Sequence, residues 1–161
     1  MKIVARIPLE SAWQNNPVVQ IESNNMWLSA MVDSGAGMPM YFGNRKTLEK
    51  RLGGRVLDET VSIRGVSEGK QGAMAVSYDV VAFTIQIGDL IYPNMRFAWL
   101  PDARFDFDIL ISYTMFRGAV AAFNQVDGSF EVNVPESPEM YVVHPYVVKE
   151  NGDIYNLLCE S

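Results

Sequence analysis

The sequence predicts an all-β domain with one or two short helices. Its composition is that of a globular protein, since 48% of the 161 residues are apolar and 20% are charged. The apolar residues fall in short runs, several of which alternate with polar residues, and pairs of turn-forming residues separate the runs. Helix-type spacing occurs in only two short segments. Many short strands separated by turns are typical of a closed or sandwich-like β architecture.

The first predicted strands form a hairpin. One apolar run covers residues 17–22 and the next covers residues 26–32, and Asn24-Asn25 lies between them. A pair of asparagines between two strand-like runs favours a two-residue hairpin turn.

Two longer strands are predicted at residues 56–64 and 73–87. In the second, the alternation of apolar and polar residues changes phase between Val80 and Val81. A slip of one residue moves side chains to the other face of a sheet, so we expect a bulge or a bend at this point.

The rest of the predicted domain consists of further strands and the two short helices. Gly88-Asp89 and Asp127-Gly128 are turn signals. The helices are expected at Arg45–Leu52, closed by Gly53-Gly54, and at residues 112–117, with Ser112 as the N-cap. The remaining predicted strands cover residues 90–100, 107–111, 119–123 and 130–134.

A change in composition after Val134 predicts a domain boundary. Residues 135–139 contain two prolines, which disfavour both a helix and an inner strand. We therefore expect one domain over residues 1–134 and a C-terminal extension over residues 135–161. A strand-like run and a turn at Asn151-Gly152 are compatible with a docked hairpin in the extension.

Charge and cysteine content exclude several classes of protein. The net charge is −6, and no cluster of Lys and Arg is longer than two residues. We therefore expect no nucleic acid and no membrane as a partner, because both kinds of binding depend on clustered basic residues. The N-terminus lacks the apolar core of a signal peptide, and Cys159 has no second cysteine with which to form a disulfide. These features predict a cytoplasmic protein.

The most informative local pattern is Asp33-Ser34-Gly35-Ala36, which follows an apolar strand. A pattern of this type occurs by chance in about one chain of this length in a hundred. One interpretation is a turn that ends a strand, since Asp, Ser and Gly all favour turns. The other is a carboxylate held at the floor of a cleft, where Gly35 allows backbone N–H groups to approach it. A single carboxylate activates water poorly, whereas two that share a proton act as base and acid together.

In three segments the chain resembles the retropepsin-like (retroviral-type) aspartic peptidases and their bacterial relatives. Residues 32–36 are similar to the active-site strand and loop of that family, and residues 63–69 to its flap. Residues 107–116 are similar to the apolar segment that precedes a short helix. The resemblance covers about residues 17–134. It implies a closed, barrel-like acid-protease fold, a homodimer and a peptide or protein substrate, with neither cofactor nor metal.

The resemblance also assigns roles to individual residues. It implies that Asp33 is catalytic and holds the attacking water together with Asp33 of a second copy. Where the family usually has a glycine, this chain has Ser112. The remaining implied site residues are Ser34, Gly35 and Ala36 in the active-site loop, Gly65, Val66, Ser67, Glu68 and Gly69 in the flap, and Ile111 and Ser112 as support for the cleft.

Two other functions stay open on the sequence alone. The first is a binding or assembly module that keeps the fold without catalysis, which Ser112 and Glu68 motivate. The second is a monomeric β-barrel binding protein in which Asp33 only caps a turn. Asp106 and Asp108 alternate with two phenylalanines, which indicates either a metal site or, more simply, an edge strand with one polar face.

Overall fold

A computed structural model describes residues 2–13, 16–33, 36–64, 75–116, 119–134, 146–148 and 154–156. Within these ranges it contains one α-helix, α1 (Arg45–Lys50), and one 3₁₀-helical turn, Tyr113–Phe116. The strands are β1 (Lys2–Trp13), β2 (Asn16–Ser23), β3 (Met26–Asp33), β4 (Met40–Tyr41), β5 (Arg55–Arg64), β6 (Ala75–Ile87), β7 (Leu90–Trp99), β8 (Ile109–Ser112), β9 (Val120–Asn124), β10 (Ser129–Val134), β11 (Tyr146–Val148) and β12 (Ile154–Asn156). The predicted all-β class with one or two short helices is confirmed.

Most strands belong to one sheet, in the order β5-β6-β7-β4-β8-β3-β2-β1-β10-β9. A single bridge between Glu22 and Gln86 also joins β2 to β6, so the sheet curls back on itself. The resemblance implied a fully closed barrel, whereas here a single residue pair joins β2 to β6. β11 and β12 form a separate antiparallel pair, and the domain boundary after Val134 and the docking of this hairpin stay predictions.

The predicted hairpin between β2 and β3 is confirmed. Ser23 pairs with Met26, and the two residues between them, Asn24 and Asn25, both have positive φ angles, of 49° and 62°. Two central residues with positive φ are the signature of a type I′ turn, whose twist matches that of the flanking strands.

The expected irregularity near Val80 lies in the partner strand. β6 is one continuous strand. Its residues Val80 and Val81 are both buried, and they belong to apolar clusters on opposite faces of the sheet. Val56 of β5 pairs with Val81, and Thr60 pairs with Asp79. Three residues of β5, 57–59, therefore lie opposite a single residue of β6, Val80. The change of phase in the sequence therefore reflects a strand that is buried on both faces, and the extra residues are in β5.

The long strand β1 was not predicted. Its first part, residues 2–8, pairs with β10, and its second part, residues 9–13, pairs with β2. Register shifts between Ile3 and Ala5 and between Leu9 and Ser11 interrupt the alternation of apolar and polar residues. Each bulge inverts the pattern, so no window of the sequence shows a clear period of two.

The helix α1 begins and ends with standard capping interactions. The Asn44 side chain accepts a hydrogen bond from the backbone N–H of Thr47 at 2.8 Å. At the other end the backbone N–H of Gly54 donates to the Leu48 carbonyl, and Gly53 has a positive φ of 63°. The helix is shorter than the predicted Arg45–Leu52. In the described part of the chain, no helix is long and apolar enough to cross a membrane.

The strands β3 and β8 lie at the centre of the sheet and are buried on both faces. Val32 and Ile111 belong to the main core on one face. Met31 and Leu110 belong to a second apolar cluster on the other face. Because side chains alternate between faces, the C-terminal ends of both strands are held from two sides. This packing fixes the edge of the sheet at which Asp33 lies.

Candidate active site

Asp33 is the last residue of β3 and lies beside Ser112, the last residue of β8. The two strands run parallel, with Val32 paired to Ile111 and Asp33 paired to Ser112. Asp33 is half-buried, whereas Val32 and Ser112 are buried. The carboxyl group is therefore attached at the boundary between a packed core and solvent, on two of the most firmly held strands in the protein.

Ser112 connects β8 to the chain that follows Asp33. Its side chain is fully buried, and its Oγ donates a hydrogen bond to the carbonyl oxygen of Ala36 at 2.5 Å. The sequence predicted Ser112 as the N-cap of a helix over residues 112–117. The structure instead places it at the end of a strand, followed by a single 3₁₀ turn.

Ala36 is the next described residue after Asp33, and it packs against the second apolar cluster. That cluster contains Met31 and Leu110 from the two central strands, and Met40 and Phe42 pack against it as well. The chain around the site is thus held before Asp33 by the ladder of β3 and β8, and after it by Ala36. The predicted loop residues Ser34 and Gly35 lie outside the described residues, as do the flap residues Gly65, Val66, Ser67, Glu68 and Gly69.

Ile111, the second predicted support residue, is fully buried in the main core. It pairs with Val32, one residue before Asp33. Its side chain therefore supports the strand that carries Asp33, and it does not line a cleft.

The short strand β4 lies between β8 and β7, next to the site. Met40 pairs with Leu110 on one side and with Ala98 on the other. The next residue, Tyr41, is almost fully buried, and its hydroxyl donates to the carbonyl of Asn44 at 3.0 Å. Burial raises the pKa of Tyr41 to about 12, and the negative charge of Asp108 adds to the effect.

This raised pKa predicts a loss of stability at alkaline pH. A tyrosine in the unfolded chain has its ordinary pKa of 10.0, whereas the pKa of Tyr41 in the folded chain is about 12. The contribution is fully present below pH ~10 and is lost as the pH rises through ~12, with a total of about 3 kcal/mol. Urea unfolding in this pH range should show a steeper fall for the wild type than for Tyr41→Phe. Equal slopes would contradict the prediction.

Asp108 has a structural role at the start of β8. Its Oδ2 accepts a hydrogen bond from the backbone N–H of Ser29 at 2.9 Å, and its own N–H donates to the Ser29 carbonyl at 2.8 Å. The expectation of an edge strand here is wrong, because β8 begins only at Ile109 and lies between β4 and β3. Across the described ranges, no group of three or more His, Cys, Asp or Glu side chains converges on a common point.

A groove of about 490 Å³ lies near the opposite end of β3 from Asp33. Trp27 forms part of its wall and is 62% exposed. The β1 segment Arg6–Leu9 and Ile21 of β2 form much of the rest. Trp27 and Asp33 are six positions apart along β3, so their Cα atoms are roughly 20 Å apart.

Comparisons with known proteins give a structural similarity but no sequence match. No protein-family model matches the sequence, and no curated protein matches it. The fold is similar to the crystal structure of a retropepsin-like aspartic protease from Rickettsia conorii, with 16% sequence identity and a TM-score of 0.49. The similarity covers 83% of this chain and 96% of that chain. At this level it does not assign a function, so the functional proposal below depends on the residues around Asp33.

Proposed function

We propose that the protein is an aspartic endopeptidase that acts as a homodimer, with Asp33 of each copy as the catalytic group. The observation that carries this proposal is the position of Asp33, which is half-buried at the end of a strand packed on both faces. The chain after it is tied back to β8 by the hydrogen bond from Ser112 to Ala36. A carboxylate that binds a water molecule and a peptide needs a fixed position and access to solvent, and this location combines the two.

The proposed reaction uses two carboxylates that share one proton. The ionised Asp33 takes a proton from the water, whose oxygen forms a bond to the carbonyl carbon of the substrate. The protonated Asp33 of the second copy gives its proton to the carbonyl oxygen. When the tetrahedral gem-diol collapses, the C–N bond breaks and the leaving nitrogen takes the proton that the first Asp33 took from the water. One hydroxyl of the gem-diol returns its proton to Asp33 of the second copy, which restores both carboxyl groups. The products are a carboxylic acid and an amine.

Two further segments have supporting roles in the proposal. Ser34 and Gly35 would fix the carboxylate, because a hydroxyl and a glycine turn allow close hydrogen bonds to the backbone. Residues 65–69 would form a flap that excludes bulk water and holds the substrate as an added strand. The chain's own β5 and β6 lead into and out of the segment that contains this flap.

The second candidate is a binding module without catalysis, and the groove beside Trp27 favours it. A tryptophan that is 62% exposed on a wall with apolar residues is a typical contact for a peptide or another apolar ligand. Trp27 is distant from Asp33 along β3, so mutation distinguishes the two candidate functions. Cleavage would depend on Asp33, and binding in the groove would depend on Trp27.

Incubation of the purified chain with a diverse peptide library tests the proposal. We expect cleavage at internal peptide bonds, detected by mass spectrometry as pairs of new termini. A cleaved peptide whose scissile amide is replaced by a hydroxyethylene group should inhibit the reaction, since it resembles the tetrahedral intermediate. Absence of cleavage at both acidic and neutral pH would overturn the proposal. Peptide binding that persists in Asp33→Asn and is lost in Trp27→Ala would support the binding module.

A further inference from the structure

We propose that the Ser112 hydroxyl is a positioning group that holds the chain beyond Asp33, at Ala36, so that the Asp33 carboxyl group keeps its reactive position. This inference rests on the proposed function and deepens it. The resemblance considered above leaves open whether a serine at this place disturbs the site, since the family usually has a glycine there. The contacts of Ser112 indicate that its hydroxyl helps to hold the chain at the site in place.

The first observation is that Ser112 lies directly beside Asp33. They are partners in the parallel ladder of β3 and β8, so their backbones are adjacent strand ends. Ser112 is 0% exposed, and the packing around it therefore accommodates its side chain completely. A group in this location can act on the position of Asp33 without contacting a substrate.

The second observation is the hydrogen bond from Ser112 Oγ to the carbonyl oxygen of Ala36, at 2.5 Å. This bond joins β8 to Ala36, three positions beyond Asp33 in the chain. Neither glycine nor alanine has a side-chain donor, so a chain with either residue would lack this connection. The chain is thus held at Asp33 by the ladder of β3 and β8 and at Ala36 by a buried hydroxyl.

The expected consequence concerns turnover more than substrate affinity. A small displacement of a catalytic group reduces the rate of the chemical step, and an error of about 1 Å can cost roughly 10²-fold. Ser112 has no place in the proposed contacts with substrate. We therefore expect Ser112→Ala to lower kcat by about 10- to 100-fold and to leave KM nearly unchanged.

Two other buried serines provide matched controls. Ser23 is 2% exposed, and its Oγ donates to the Thr84 carbonyl at 2.7 Å, roughly 20 Å along the sheet from Asp33. Ser129 is 5% exposed, and its Oγ has no hydrogen-bond partner among the described residues. Ser23→Ala thus removes the same kind of bond elsewhere, and Ser129→Ala removes a buried hydroxyl that makes no such bond.

The experiment measures kcat, KM and the urea midpoint for the wild type and for the three alanine variants. Ser112→Ala and Ser23→Ala should both lower the midpoint, since each variant loses a buried hydrogen bond. Only Ser112→Ala should lose turnover. A fourth variant, Ser112→Cys, keeps a side chain of similar size but has a much weaker donor, and its kcat should also fall. Full turnover in Ser112→Ala and Ser112→Cys, or an equal loss in Ser23→Ala, would overturn the proposal.

A second readout keeps this inference separate from the proposed function. Hydrogen–deuterium exchange of the peptide that contains residues 33–36 does not depend on activity. It should be faster in Ser112→Ala than in Ser23→Ala or Ser129→Ala. If the wild type cleaves no peptide, the endopeptidase proposal fails, and unchanged exchange in Ser112→Ala would overturn the role of Ser112 independently.

Discussion

The substitution Asp33→Asn is expected to abolish peptide cleavage, with a fall in kcat/KM of about 10³-fold or more. Asparagine keeps the shape of the side chain but can neither take a proton from water nor share one with a second carboxylate. Asp33 is half-buried at the edge of the sheet, outside the two apolar clusters. The melting temperature should therefore change little, and this combination distinguishes a catalytic carboxylate from a structural one.

The matched control for this prediction is Asp108→Asn. Asp108 precedes β8, at the end opposite Ser112, and its carboxylate accepts a hydrogen bond from the Ser29 N–H. The carbonyl oxygen of an asparagine can accept the same bond, so the variant should fold and keep its activity. Cleavage by purified Asp33→Asn at the wild-type rate would remove Asp33 from the mechanism. A large loss of stability in Asp33→Asn would instead favour the interpretation that Asp33 only caps a turn.

Local sequence patterns were sufficient to predict several features of the fold. Asn24-Asn25 predicted a hairpin because the turn type is encoded in the two residues that adopt it. The end of β3 at Asp33 was predicted because an apolar run stops abruptly at turn-forming residues. In both cases the information lies within a few neighbouring positions.

Features that depend on partners far apart in the sequence were not predicted. β4 has only two residues, too few to show a period, and β1 contains two register shifts. The bond from Ser112 to Ala36 depends on the parallel register of β3 and β8, whose paired residues are about 80 positions apart. The continuous apolar run Ile109–Ile111 was the available signal, because strands buried on both faces lack alternation. It indicates a central strand, but it does not identify the neighbour.

The specific activity is also expected to fall on dilution, because the proposed mechanism needs two copies of Asp33. Each chain supplies one Asp-Ser-Gly-Ala motif, and a two-fold axis between two such turns would bring their carboxylates together. Sedimentation equilibrium should give a dimer whose dissociation constant matches the concentration at which activity falls by half. The pH–rate profile should be bell-shaped, since one carboxylate must be ionised while the other is protonated.

Mixing wild-type protein with Asp33→Asn tests the shared site directly. If subunits exchange and pair at random, a ninefold excess of the variant leaves about one tenth of the wild-type subunits with a wild-type partner. Activity per wild-type subunit should fall to that fraction, whereas the Asp108→Asn variant in the same excess should cause no such loss. A monomeric enzyme would be unaffected by either variant. A fully active monomer in sedimentation would therefore contradict the two-chain mechanism, and a stable dimer without activity would favour a binding or assembly module, because the same symmetric contact would then serve association alone.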